Sequence, residues 1–265
     1  MGYSDYRGVV ARKILSPQVV PSALESQASG RSVGRISIWP AGSLEPSVAR
    51  SLILGSGMDV VVVRCAAEDT ELVVGLQCDE LVLLQADTLL YFEASTAQIV
   101  APSSGSLETL STADAQVVDE LVGAVFAGYR NHWSADPVFG AIDVTRSYRD
   151  WAQRCLDGRS HVALLCFITQ TGQPAGFCMV DEQDPNVSDV LLAGVVPTQR
   201  RQGAYQQMML AVIDRARSQG RATVAISTQA ANVGVMRAWC RVGMLPTIAL
   251  NTLHAVRREH FPFVA

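Results

Sequence analysis

The stretch from His161 to Gln219 constrains this chain more than any other. Two apolar runs, HVALLCFIT and PAGFCMVDE, flank the turn QTGQ, a spacing that closes a tight β-hairpin. A third run, DVLLAGVV, follows a polar turn at Gln183 to Ser188, so a meander of three strands is expected. The third strand ends at Pro197, and the pattern then changes period. Met208, Met209, Val212, Ile213 and Ala216 recur on one face of a helix read from Arg200 to Gln219, with Gly220 as its stop. Strand ATVAIST, a helix from Asn232 to Val242 and the run IALNTLHAV follow.

Upstream, VGRISIW, MDVVVVRC and LVLLQADTLLYFEA read as strands, with short helices at Glu45 to Leu54 and Glu68 to Leu76 between them. This is the pattern of a small α/β unit. Turn-forming residues without a large side chain, APSSGS at Ala101 to Ser106, suggest a linker, and two domains are expected, 1–106 and 107–265. The second domain opens with the apolar helix DAQVVDELVGAVFAGYR. A polar stretch containing Trp133 and Pro137 comes next, then a helix around Arg146 to Leu156. No internal repeat is evident.

Composition excludes several classes. A chain of 265 residues with 49% hydrophobic and 17% charged residues can bury a substantial core. A net charge of −4 without a basic block gives nucleic acid no general purchase. No signal-like N-terminus or long uncharged apolar window appears; LVLLQADTLLYF is broken by Asp87, and the start lacks the residue a myristoyl signal needs. A soluble, cytoplasmic protein without membrane contact is expected. The six cysteines are scattered singly, with no histidine at metal-ligand spacing, so reduced thiols and no metal site are expected.

The chemistry concentrates in GVVPTQRRQGAY, Gly194 to Tyr205. Where a buried strand turns into a helix, unpaired backbone N–H groups and the positive end of the helix dipole make an anion site. Gly203 permits close approach of a phosphate, and Arg200 and Arg201 add charge. By spacing alone, an ordinary connection with two solvated arginines fits equally well.

The same residues resemble the pyrophosphate-binding motif of the GNAT N-acyltransferases: valine, proline, an arginine three residues on and a glycine three further. The resemblance implies an α/β GNAT fold, with a mixed, mostly antiparallel, splayed central sheet preceded by the smaller N-terminal α/β part. It implies acetyl-CoA or another acyl-CoA as cofactor. Ala193, Gly194 and Val195 would pair with the pantetheine arm, and Arg200, Arg201, Gln202, Gly203, Ala204, Tyr205 and Gln206 would form the loop around the pyrophosphate. Tyr205 departs from the family's usual small residue. The segment Asn232 to Met244 resembles the second motif, with Asn232 at the cofactor-contacting asparagine and Trp239 where tyrosine usually protonates the leaving thiolate. Indole N–H is a donor but not a titratable acid in water.

Segments TRSYRDWAQRCLDG, ISTQAANVGVMRAW and NTLHAV further resemble bacterial acetyltransferases of nucleotide-linked amino sugars, such as TDP-fucosamine acetyltransferase. That implies transfer to a primary amine on a small metabolite. Asp189, Trp239 and His254 are the candidate catalytic residues. Glu182 is a second carboxylate weighed as base, and Tyr205, Tyr129 and His132 are further candidates for the acid. His132, Trp133, Thr228 and Gln229 are expected at the acceptor or the thiol. Two alternatives stay open: a GNAT-fold protein that binds CoA or a partner with little acyl transfer, and a transferase with a non-acetyl donor in secondary metabolism. Oligomeric state is open too, a homodimer included.

Overall fold

Ten strands and seven α-helices alternate along the residues that the computed structural model describes, 17–99, 107–110, 115–158 and 161–262. The expected linker at 101–106 lies outside them. By compactness the chain forms two units whose segments interleave. Among the described residues, one holds Tyr91–Tyr129 and Thr145–Thr247; the other holds 17–90, Arg130–Val144 and 248–262. This grouping differs from consecutive domains at 1–106 and 107–265. Strands β4 (Leu81–Ser95) and β10 (Leu245–Arg257) are each long enough to contribute residues to both units.

The unit holding Tyr91–Tyr129 contains β5 (Leu107–Leu110), β6 (Val162–Thr169), β7 (Pro174–Asp181), β8 (Val187–Val195) and β9 (Thr223–Gln229). Strands β5 to β8 are antiparallel neighbours, and β8 pairs parallel with β9. The meander read from sequence is this β6-β7-β8 run. Side chains on alternate residues of β7 and β8 face opposite sides. On one side, Phe177, Met179 and Leu192 meet Val118, Leu121, Val122 and Val125 of α4 (Ala115–Phe126) and Ala152 and Cys155 of α5 (Val144–Gly158). Helix α6 (Ala204–Ser218) covers the other side; a Cβ on Gly176 would lie 2.7 Å from Met208 Sδ. Helix α7 (Val233–Arg241) follows β9.

The other unit pairs β1 (Val20–Pro21) antiparallel to β2 (Val33–Ile38), β2 parallel to β3 (Val60–Ala66), and β3 antiparallel to β10. Helices α1 (Ala23–Ser29), α2 (Pro46–Gly55) and α3 (Thr70–Gly75) belong here. Ile36, Ile38, Val61, Val63, Ile53, Leu72 and Leu253 form its main core. One order of elements occurs twice along the chain. The run β2-α2-β3-α3-β4 matches β8-α6-β9-α7-β10, a parallel pair with a helix after each strand.

Candidate functional site

The two parallel pairs differ in one respect. Strand β2 pairs with β3 along its whole length, from Val33↔Val60 to Ile38↔Cys65. Strand β8 pairs with β9 only from Val187↔Thr223 to Val190↔Ile226, although β8 continues to Val195 and β9 to Gln229. Beyond Val190 and Ile226 the strands part. On its other edge β8 stays joined to β7, but the register jumps from Val180↔Val190 to Met179↔Leu192, which makes Leu191 the extra residue of a β-bulge. A bulge bends its strand and increases local twist, the distortion that turns the far half of β8 from β9.

At the end of β8 the chain makes a short 3-10 turn at Pro197–Gln199 before entering α6 at Ala204, four residues after the expected Arg200. Arg201 and Gly203 both take left-handed backbone, φ 63° and 79°. Glycine adopts this freely; for arginine it costs about 1 kcal/mol, a kind of strain that clusters at ligand sites. The first backbone bond of the helix runs from the Gln207 N–H to the Gly203 carbonyl at 3.1 Å. The N–H groups of Arg201 to Gln206 have no protein acceptor among the described residues. Six donors gathered at a helix N-terminus form an anion cradle.

Arg200 takes no part in that cradle. Its guanidinium donates to the Val195 carbonyl at 3.3 Å and to the Val125 carbonyl in the last turn of α4 at 3.1 Å, tying helix to strand. Arg201 and Gln202 are exposed beside the cradle. Gly194 faces α4, where a Cβ would collide with Val125 Cγ1.

Tyr205, in the first turn of α6, turns its ring inward, and its hydroxyl accepts the Nε1–H of Trp239 at 3.2 Å. Trp239 is 1% exposed and packs on Phe92, ring centres 5.1 Å apart. Burial pushes the Tyr205 phenol up, and the neighbouring Cys178 thiol acts in the same direction. The Tyr129 hydroxyl donates to Gln229 Oε1 at the end of β9. Asn232 Nδ2 donates to Thr228 Oγ1 at 3.1 Å rather than capping α7. Thus Ala193, Tyr205, Thr228, Gln229, Asn232 and Trp239 gather in one unit around the parted strands. Asp189 lies where β8 and β9 are still paired, opposite Asp181 and Ala225. Glu182 is held by Arg215 in two bonds of 3.0 and 3.2 Å.

His132, Trp133 and His254 lie in the other unit, in a buried polar chain. His254 is 0% exposed; its Nδ1 meets Asp136 Oδ2 at 2.7 Å and its Nε2 meets His132 Nδ1 at 2.9 Å. Instead of facing a reactant, both nitrogens of His254 are engaged within the protein. His132 Nε2 stands 3.8 Å from Glu25 Oε1, too far for a hydrogen bond. Burial holds the His132 pKa well below its ordinary value, and the adjacent His254 adds to this. A neutral His132 with its proton on Nδ1 satisfies both observations. Glu25 accepts Trp133 Nε1–H at 2.8 Å and two Arg35 bonds of 2.6 and 2.7 Å. Burial raises the Glu25 pKa, but the Arg35 bonds and charge outweigh it and bring it to about 2. A cavity of about 440 Å³ in this unit is lined by Trp133, Asp136, Phe139 and Ile142. Glu25 and Asp136 were missed in the sequence. Ser22-x-x-Glu25 carries a helix-start pattern, and Asp136 before Pro137 a turn pattern, but neither pattern points to histidine.

Among the described residues no group of three His, Cys, Asp or Glu is placed to hold a metal, and no helix is long and apolar enough to cross a membrane. All six cysteines are free.

The fold has known counterparts. A GCN5-related N-acetyltransferase from Kribbella flavida superposes with a TM-score of 0.58 at 11% identity, covering 96% of this chain and 93% of its own. One from Sphaerobacter thermophilus gives 0.58 at 14% identity, covering 91% and 76%. A tandem GNAT protein from the clavulanic acid biosynthesis pathway gives 0.56 at 12%, covering 85% and 75%. These likenesses establish a GNAT fold. No curated protein matches the sequence. Residues 126–244 match the model of the acetyltransferase (GNAT) family.

Proposed function

We propose that the protein is an acyl-CoA-dependent N-acyltransferase, with acetyl-CoA the first donor to test. The observation that carries the reading is the conjunction of parted strands β8 and β9 with six unpaired N–H groups at the end of β8. The residues fit such a cofactor. The main chain of Arg201 to Gln206 would hold the pyrophosphate, and that of Leu191 to Val195 the amides of the pantetheine arm. Bound there, the cofactor supplies an acyl group activated as a thioester.

The chain's own residues orient and enclose the reaction. Arg200 fixes the end of β8 against α4, Asn232 orders the β9–α7 turn through Thr228, and Gln229 is held by Tyr129. A primary amine on a small metabolite is the acceptor class. A nucleotide-linked amino sugar heads the list on the resemblance of three short segments alone. For the amine's proton we assign Asp189, on the paired half of β8, acting through water.

Calorimetry with acetyl-CoA tests the cofactor site. Gly203→Arg places a side chain at φ 79° inside the cradle and is expected to weaken binding at least about tenfold. Unchanged affinity overturns the assignment. A second reading, a CoA-binding protein with little transfer, is favoured by one observation: Trp239, buried and non-titratable, stands in the second motif. Binding without product across an amine panel, read by mass spectrometry, decides for it.

A further inference from the structure

The end of α4 touches both lips of the opening between β8 and β9. Val125, in its last turn, sits where a side chain on Gly194 of β8 would need to go. Four residues on, the Tyr129 hydroxyl donates to Oε1 of Gln229, the last residue of β9. Side chains alternate along a strand, and the end of β9 divides accordingly: Thr228 accepts from Asn232 at the start of α7, and Gln229 turns to the side of α4. That side is opposite to α6, whose N-terminus forms the anion cradle.

The bond to Tyr129 uses only part of the Gln229 amide. Its oxygen is engaged, but its Nε2 has no acceptor among the described residues, which leaves two N–H donors at a half-buried position on the opening. Tyr129 is fixed in turn by edge contacts to Phe126 at 5.3 Å and Tyr148 at 5.6 Å, and those two rings stack on each other at 4.1 Å. An amide anchored in this way is set in place to donate. Gln229 bonds to no charged group among the described residues. Arg200, the cation that reaches the end of α4, spends its guanidinium on the Val125 and Val195 carbonyls.

We infer that Gln229 selects the amine: its Nε2 donates to an uncharged oxygen, a hydroxyl or an amide carbonyl, carried by the amine substrate, with Tyr129 as the positioning residue. The inference rests on the acyl-CoA reading and narrows its acceptor class. A cofactor held by the cradle and by the main chain of β8 would face the end of β9 across the opening, and an amine arriving on the α4 side would meet Gln229. Neutral donors suit a neutral oxygen. A carboxylate at this place would give up its water for two amide N–H groups and no cation, at a net cost. An amine without oxygen would strand both donors. Hydroxylated amines are thus favoured over amino acids and over plain alkylamines.

Amines of matched shape supply the test: glucosamine against cyclohexylamine, and 2-aminoethanol against propylamine, with glycine as the charged member. Acetyl transfer by the wild type should favour the hydroxylated member of each pair about tenfold or more in kcat/KM, and 2-aminoethanol over glycine likewise. Gln229→Leu should bring these ratios close to unity while binding acetyl-CoA as the wild type does by calorimetry, which also reports that it is folded. Tyr129→Phe, which frees the amide without removing it, should give ratios between the two. Saturation-transfer NMR of the same amines on the CoA-bound protein should show the same order of binding without turnover. Ratios that survive Gln229→Leu, a preference for the alkylamines or for glycine, or no transfer to any of the amines by a wild type that binds acetyl-CoA overturn this inference and leave the cofactor reading standing. A wild type that binds no acetyl-CoA removes both.

Discussion

Val125 occupies the space that a side chain at Gly194 would need, so α4 lies directly on the backbone of β8 just beyond its bulge. Gly194→Ala forces helix and strand apart and should destabilise by about 1–3 kcal/mol. Thermal melting checks it. The double variant Gly194→Ala/Val125→Ala should recover part of the loss, because the collision is gone; simple additivity of the two single changes would contradict the packing argument.

Arg201 holds a left-handed backbone that glycine adopts without strain. Arg201→Gly should therefore melt at or above the wild-type temperature while binding acetyl-CoA more weakly, through loss of a cation beside the cradle. A variant that is both less stable and equally avid would place the value of this arginine elsewhere.

Trp239 donates to Tyr205 and packs against Phe92. Trp239→Tyr shortens a fully buried side chain and should cost about 2 kcal/mol or more. Turnover should fall with it, since the packing on Phe92 and the bond to Tyr205 are disturbed; a rise in turnover would mean that a phenol at 239 serves the chemistry better than the indole.

Acid should act on the unit that holds Glu25. The Glu25 pKa is brought to about 2, below its ordinary 4.5, so the unfolded chain takes up this proton first as pH falls. Its contribution, on the order of 3 kcal/mol, is whole above pH 4.5 and is lost as pH falls toward 2. His132 acts in the same direction from higher pH. Its lowered pKa means that the unfolded imidazole protonates first below about 6.5. Denaturant unfolding followed against pH should show stability declining from that point. Glu25→Gln should flatten the lower part of the curve and lower the plateau, because Arg35 loses its charged partner.

Most strands and helices were legible from apolar period, because each buries one face. The boundary of α6 was not: extended backbone at Arg200 and left-handed backbone at Arg201 and Gly203 separate these residues from the helix, and nothing in the sequence marks that. The bulge at Leu191 was hidden for a similar reason. In DVLLAGVV nearly every residue is apolar, so a one-residue slip leaves the pattern unchanged. His254 looked like a lone histidine on an apolar strand because its partners Asp136 and His132 lie more than a hundred residues away in sequence. The glycine-arginine turn was legible, but the division of labour within it was not. Arg200 serves the scaffold, whereas the backbone from Arg201 onward faces outward.

Leu191 gives the two copies of the β-α-β-α-β run different fates. Where β2 and β3 keep step the pair is ordinary sheet, and where β8 carries one residue too many the pair opens. The distinction between scaffold and site is then a matter of counting along one strand rather than of a dedicated binding segment. Removing that residue would let β8 run on in regular register, with Leu192 still opposite Met179 and Ala193 opposite Cys178, and would take away the bend that turns it from β9. Loops and acceptor pockets can diverge widely around such a device, but the length of β8 cannot change by one.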